Sequence, residues 1–199
     1  MTSALGKELP MIKFLNGKKV YLRGLTKEDC QGQYLDMAND ADYLSFVEIG
    51  YRPLSSADLE RYIESNNNPS NLLLGIFENK TDVHVGNIHL SQIKPHHNNC
   101  AFGIVMHRAY ASKGYATEAT HLVVDHAFKV MNIHRIQFNV VDKNIKAIKL
   151  YEGLGAVKEG MQREAFYLDN RYHDIVNYGL LKDEYYKNLK GAFQDRRFK

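Results

Sequence analysis

The sequence predicts an α/β sandwich, a mixed sheet flanked by helices, and three observations carry that prediction. Short period-two segments separated by turn residues fill positions 72–106 as a meander. Two stretches with apolar residues every three or four positions, from Ala116 and from Asn144, flank a strand-like His134–Val141. The resulting order, β α α β β β α β α β β, fits within 199 residues, a length that one buried domain fills.

Each element has a local reason. Lys19-Val20-Tyr21-Leu22-Arg23 alternates as the first strand, and Thr26 with Lys27-Glu28-Asp29 opens a helix running to about Met37. A second helix starts near Ser55 or Ser56, where a Ser-x-x-Asp pattern supplies the cap. Between them, Asn39 to Pro53 is a loop carrying Asp40, Asp42 and Glu48. The polar run Ser65-Asn66-Asn67-Asn68-Pro69-Ser70-Asn71 reads as a surface loop. The nearly unbroken apolar Leu72–Phe77 then reads as a central strand buried on both faces.

Asn79-Lys80-Thr81-Asp82 turns the chain into Val83–Ile93, where Ile88 and Leu90 alternate with Asn87, His89 and Ser91. Pro95-His96-His97-Asn98 turns it again, into Cys100–Met106. The stripe Ala116, Ala119, Val123, Ala127, Val130, Met131 marks an amphipathic helix. In the strand that follows it, Ile136, Phe138 and Val140 alternate with Gln137 and Asn139. Asn144 caps a helix through Leu154 whose stripe is Ala147, Ile148, Tyr151 and Leu154, and Gly153 and Gly155 end it. Two last strands, about 157–167 and 171–181, are joined at Asp169-Asn170, residue types that tolerate a tight turn. Residues 183–199 form a basic tail, expected as a solvated terminal helix, and residues 1–10 a lead outside the fold.

Composition excludes several classes. A formal net charge of +3, contributed by residues 182–199, is too weak to mark nucleic acid or an anionic membrane as the main partner. The hydrophobic fraction of 44% and charged fraction of 25% exclude a disordered chain. Cys30 and Cys100 form neither a disulfide framework nor a zinc spacing, which suits a reducing compartment. No apolar run approaches the roughly 18 residues of a membrane span, so a cytoplasmic protein is expected. A metal is not expected: His121 and His126 stand about 140° apart on a helix, and His96 and His97 are adjacent and diverge.

The informative stretch is the strand-to-helix loop from Met106 to Ala119. Gly114, flanked by small Ala116 and Thr117, exposes backbone N–H groups at a helix start, where partial positive charge accumulates. Such a turn accepts an anion, although a glycine there also serves simply to begin a helix. Gly-x-Gly-x-x-Gly, the P-loop pattern and the Gly-x-Ser-x-Gly elbow are all absent.

Ala111-Ser112-Lys113-Gly114-Tyr115-Ala116-Thr117-Glu118-Ala119 resembles the coenzyme A pyrophosphate loop of the GNAT N-acetyltransferase superfamily, whose motif is Arg/Gln-x-x-Gly-x-Gly/Ala. Asn144-Ile-Lys-Ala147-Ile-Lys-Leu-Tyr151-Glu-Gly-Leu-Gly155-Ala156 is similar to that family's Asn-x-x-Ala-x-x-x-Tyr-x-x-x-Gly-Phe. The element order over roughly 11–182 matches the same fold. Glu159-Gly160 with Arg163-Glu164, and Tyr172-His173-Asp174, resemble the branch holding ribosomal-protein N-terminal and amino-sugar acetyltransferases. Three positions depart: Ala111 replaces Arg or Gln, Ala156 replaces Phe, and Ala101 stands where relatives often place a carboxylate.

The resemblance implies the GNAT fold, a mixed, mostly antiparallel sheet flanked by helices, in a domain spanning 11–182. It implies an N-acetyltransferase that moves an acetyl group directly from acetyl-CoA, as cosubstrate, to a primary amine. The acceptor would be a protein N-terminus or a small amine such as an amino sugar. Ile104, Val105 and Met106 would line the pantetheine and offer an amide to the thioester. Ala111, Ser112, Lys113, Gly114, Tyr115, Ala116 and Thr117 would hold the diphosphate, with Asn144 and Ala147 at the second helix. Tyr151 would protonate the leaving thiolate, a role open to a phenol, and His89 would relay a proton through water. Acceptor selectivity would come from the 39–53 loop, the two early helices and the 169–172 hairpin. The alternative is a non-catalytic acyl-CoA-binding regulatory domain, motivated by Ala101 and Ala111. Oligomeric state is left open, a homodimer included.

Overall fold

A computed structural model of the chain describes residues 12–41, 44–47 and 52–195, with side chains of the last helix described to Leu189. Asp42, Glu48, the 1–10 lead and Arg196, Arg197 and Lys199 of the tail lie outside the described residues.

The strands are β1 (Leu15–Asn16), β2 (Val20–Arg23), β3 (Leu72–Glu78), β4 (His84–Lys94), β5 (Asn99–Met106), β6 (Arg135–Val141), β7 (Val157–Leu168) and β8 (Arg171–Leu181). The helices are α1 (Gln33–Ala38), α2 (Ser56–Ser65), α3 (Tyr115–Lys129), α4 (Ile145–Gly153) and α5 (Lys182–Asp195). One sheet takes all eight strands in the order β1-β2-β3-β4-β5-β6-β8-β7. Every neighbouring pair is antiparallel except β5 and β6, which α3 connects in parallel. The mixed, mostly antiparallel sheet flanked by helices is therefore as expected.

Beyond the sequence reading lies the two-residue β1, too short for any periodicity. The helix expected from Thr26 to Met37 is broken into a 3-10 turn, Glu28–Cys30, and α1. Gly32 separates them at φ +55, a conformation off the helical path that glycine adopts without penalty. The 3-10 turn is pinned from β2: Arg23 donates to both Asp29 oxygens at 2.6 and 2.7 Å and stacks over the Phe77 ring. Val20 and Leu22 face the main core, Tyr21 stacks on Phe77 and Arg23 is taken up by this pair, so all four β2 residues are buried rather than alternating. The Ser55 cap of α2 is a capping box closed by Asp58.

The core sits between the sheet and α3, where Ala119, Val123, Val124, Ala127 and Phe128 are fully buried. Val130, placed on the buried stripe by spacing, is 69% exposed, because α3 ends at Lys129. The terminal segment is not a solvated helix. Tyr185 of α5 is 1% exposed, packs on Phe128 and hydrogen-bonds His121 Nδ1 at 3.0 Å. Asp169 and Asn170 both have positive φ, 51° and 58°, as a two-residue β7–β8 turn requires.

Candidate active site

The parallel pairing of β5 with β6 runs only from Asn99↔Arg135 to Phe102↔Phe138. Beyond it, Gly103–Met106 and Asn139–Val141 continue as strands without bonding each other, so the sheet opens between its two central strands. Backbone alternation decides which groups face the opening. His107 N donates to Val85 O of β4's start, and Val105 O lies against Gly86. Odd-numbered residues of this stretch thus point to β4, which leaves the amides of Ile104 and Met106 on the open side.

A cavity of about 260 Å³ fills the opening. His89, Ile104, Val105, Asn144, Ala147 and Tyr151, singled out on sequence grounds, all line it. Tyr151 reaches it because α4 follows β6 directly and turns its apolar stripe onto the sheet. Its ring packs 4.5 Å from Phe138 and 6.0 Å from Phe102, centroid to centroid. Burial pushes its phenol up to about 12, so it stays protonated. Among the described residues nothing hydrogen-bonds its hydroxyl. Asn144 caps α4, its Oδ1 accepting from Ala147 N at 3.2 Å.

His89 stands opposite Gly103 in the β4–β5 register. Burial lowers its pKa, and its Nε2 is buried without a partner. It is therefore neutral at pH 7, with an unused nitrogen on the cavity wall. Ala101, one of the three departures from the family pattern, does not line the cavity.

Sequence reasoning missed Asn87, 8% exposed, which lines the same cavity and whose Oδ1 accepts from His84 Nε2 at 2.9 Å. Its only trace in the sequence is a place in the polar alternation with His89, which does not report the gap beside the strand. The far wall comes from α1 (Tyr34, Met37), the segment Leu44–Val47 and Tyr62 of α2. The 39–53 loop and the early helices thus face the cavity, whereas the 169–172 hairpin does not. Asp40 of that loop pairs with Arg108 at 2.5 Å, tying it to the strand-to-helix loop.

That loop continues from the open end of β5. Arg108–Tyr110 form a 3-10 turn that ends at Ala111, and Ser112 follows at φ +64. Gly114 then begins α3 at φ +80, which side-chain-bearing residues rarely adopt. The amides of Tyr115, Ala116 and Thr117 have no carbonyl one turn earlier to bond. Lys113 is exposed, its ammonium 4.6 Å from the Tyr110 ring centre. The Tyr115 side chain turns inward, its hydroxyl donating to Glu78, so only its amide remains at the loop surface. Met106 and residues 111–117, also expected at the site, are not among the cavity's lining.

Among the described residues no three His, Cys, Asp or Glu side chains are placed to hold a metal ion, and no helix is long and apolar enough to cross a membrane.

The family described as an acetyltransferase (GNAT) domain matches residues 19–157. The spermidine N(1)-acetyltransferase of Vibrio cholerae is 32% identical over 101 residues, 51% of this chain and 58% of that protein. The chain therefore matches little more than half the length of that relative. A probable N-acetyltransferase of Bacillus subtilis is 29% identical over 167 residues, 80% of this chain and 92% of its own. In three dimensions, spermidine N-acetyltransferase from Vibrio cholerae, crystallised with CoA and spermine, superposes with a TM-score of 0.77 at 25% identity, covering 85% of this chain and 99% of that one.

Proposed function

Because this chain belongs to the GNAT acetyltransferase family, we propose that it transfers the acetyl group of acetyl-CoA directly to a small primary amine. The observation that carries the reading is the parting of β5 and β6 beyond Phe102 and Phe138, with Tyr151 and His89 on the walls of the gap. A pantetheine arm laid along the open edge of β5 would meet the amides of Ile104 and Met106. One of them then donates to the thioester oxygen as negative charge builds there. The diphosphate would lie on the amides of the 111–117 turn, at the start of α3.

The acceptor nitrogen must be neutral to attack the thioester carbon. His89, uncharged and with Nε2 unpartnered, takes the ammonium proton through a water and passes it to solvent. The nitrogen–carbon bond forms, the carbon–sulfur bond breaks, the departing sulfur receives the Tyr151 proton, and the proton shed by the acylated nitrogen restores the phenol through solvent. A phenol at about 12 suits this task only if the thiolate is equally costly to leave charged. Burial acts on a thiol in the same way, as it pushes Cys100 up to about 12 on the same strand as the opening.

A small acceptor is supported by the cavity's volume of about 260 Å³ and by the relatives named for spermidine. Free-thiol release from acetyl-CoA, assayed against spermidine, amino sugars and peptides with free N-termini, tests the reading. Turnover on a small amine is expected. Coenzyme A binding without turnover on any amine would instead make the chain a non-catalytic acyl-CoA-binding domain.

A further inference from the structure

The turn between β1 and β2, Gly17-Lys18-Lys19, lies against the start of α3. Glu118, in the first turn of α3, uses both carboxylate oxygens on that turn's backbone, accepting from Lys18 N at 2.5 Å and Lys19 N at 2.8 Å. Gly17 makes room for the carboxylate: a Cβ there would stand 2.7 Å from Glu118 Oε1. Asn79 holds the turn from the opposite side. Its Nδ2 donates to Gly17 O and its amide to Lys19 O, each at 2.9 Å.

Fixed in this way, Lys19 reaches the loop that starts α3. Its Nζ donates to the Lys113 carbonyl at 2.9 Å and lies 3.0 Å from where a Cβ on Gly114 would stand. An ammonium has three protons, so two remain for other acceptors. Glu118 binds the turn through the turn's amides and makes no ion pair with the Lys19 ammonium among the described residues. Neither Lys19 nor Lys113 forms an ion pair among the described residues. Two cations from elements far apart in sequence therefore flank one turn.

We infer that Lys19 is a second diphosphate-binding cation, delivered to the 111–117 loop by a β1–β2 turn that Glu118 positions. The inference rests on the acetyl-CoA reading, and a donor lacking the diphosphate separates the two. Calorimetry with coenzyme A and with pantetheine, on wild type, Lys19→Ala, Lys19→Arg and Glu118→Ala, makes the test. Lys19→Ala should bind coenzyme A about tenfold more weakly, as removing one charge-assisted phosphate contact does. Its affinity for pantetheine should stay at the wild-type value, and Lys19→Arg should recover most of the loss. Glu118→Ala, which keeps both lysines but releases the turn, should lower affinity for coenzyme A and not for pantetheine.

Unchanged coenzyme A affinity in Lys19→Ala overturns the inference. So does an equal loss for both ligands, which would mark Lys19 as a support of the loop's shape alone. Wild-type protein that binds no coenzyme A defeats the cosubstrate reading itself, and the inference with it.

Discussion

Tyr151 is held by two aromatic neighbours and by burial, and its hydroxyl contributes to no hydrogen bond among the described residues. Removing that oxygen should therefore leave packing intact and take away only a proton donor. Tyr151→Phe is expected to lower kcat about a hundredfold, the usual scale for general-acid catalysis, with the donor KM unchanged. The melting temperature should shift little, since no partner is left unsatisfied. Steady-state thiol release beside a thermal melt reads both, and an undiminished kcat would remove Tyr151 from the reaction. Tyr151 was legible in the sequence through its place in a spaced motif, as was Asn144. Asn87 was not, because a single polar residue on a strand says nothing of the gap beside it. Lys19 escaped for another reason: its target lies almost a hundred positions away, and only the folded β1–β2 turn brings them together.

At the scale of elements, periodicity identified strands and helices wherever one face met the core, and failed where contacts from elsewhere took over. The helix expected from Thr26 was broken by the Arg23–Asp29 pair and Gly32, a contact and a dihedral that no stripe reports. The terminal helix is not solvated as its charges suggest, because Tyr185 and Tyr186 both pack on Phe128 and Tyr186 also donates to Asp125. Tyr185→Ala should consequently destabilise the fold by about 3–5 kcal/mol, the range for emptying a buried aromatic site. Tyr185→Phe, losing only the bond to His121, should cost about 1 kcal/mol. Urea unfolding of both variants distinguishes a structural α5 from a dispensable one. A Tyr185→Ala loss below about 1 kcal/mol would show that the helix detaches without consequence.

For the whole molecule, buried groups of opposite titration behaviour set limits on the pH at which the fold is most stable. His84, His89, His121 and His126 all have pKa values lowered from 6.5, in each case chiefly by burial. Below that value the unfolded chain takes up protons that the folded chain refuses, so stability falls as pH drops through the window beneath 6.5. Tyr34, Tyr151 and Tyr185 are raised from 10.0, again chiefly by burial. Above that value the unfolded chain ionises while the folded chain does not, and stability falls once more. Each group adds at most about 1.4 kcal/mol per pH unit. Carboxylates held low by partners, such as Glu159 beside Arg135 and Asp58 within its capping box, act only beneath their ordinary 4.5 and 3.8. A decline already present between about pH 5 and 6.5 is therefore the signature of the histidines, not of the acids. Urea midpoints measured from pH 5 to 11 should trace a plateau between 6.5 and 9.0, where the buried thiols Cys30 and Cys100 begin to resist ionisation ahead of the tyrosines, with losses on both sides. His89→Gln should soften the acidic decline, since it removes one group that resists protonation on the cavity wall. A curve flat down to pH 5 would mean that these imidazoles reach solvent, and that His89 is not the neutral, enclosed base on which the proton relay depends.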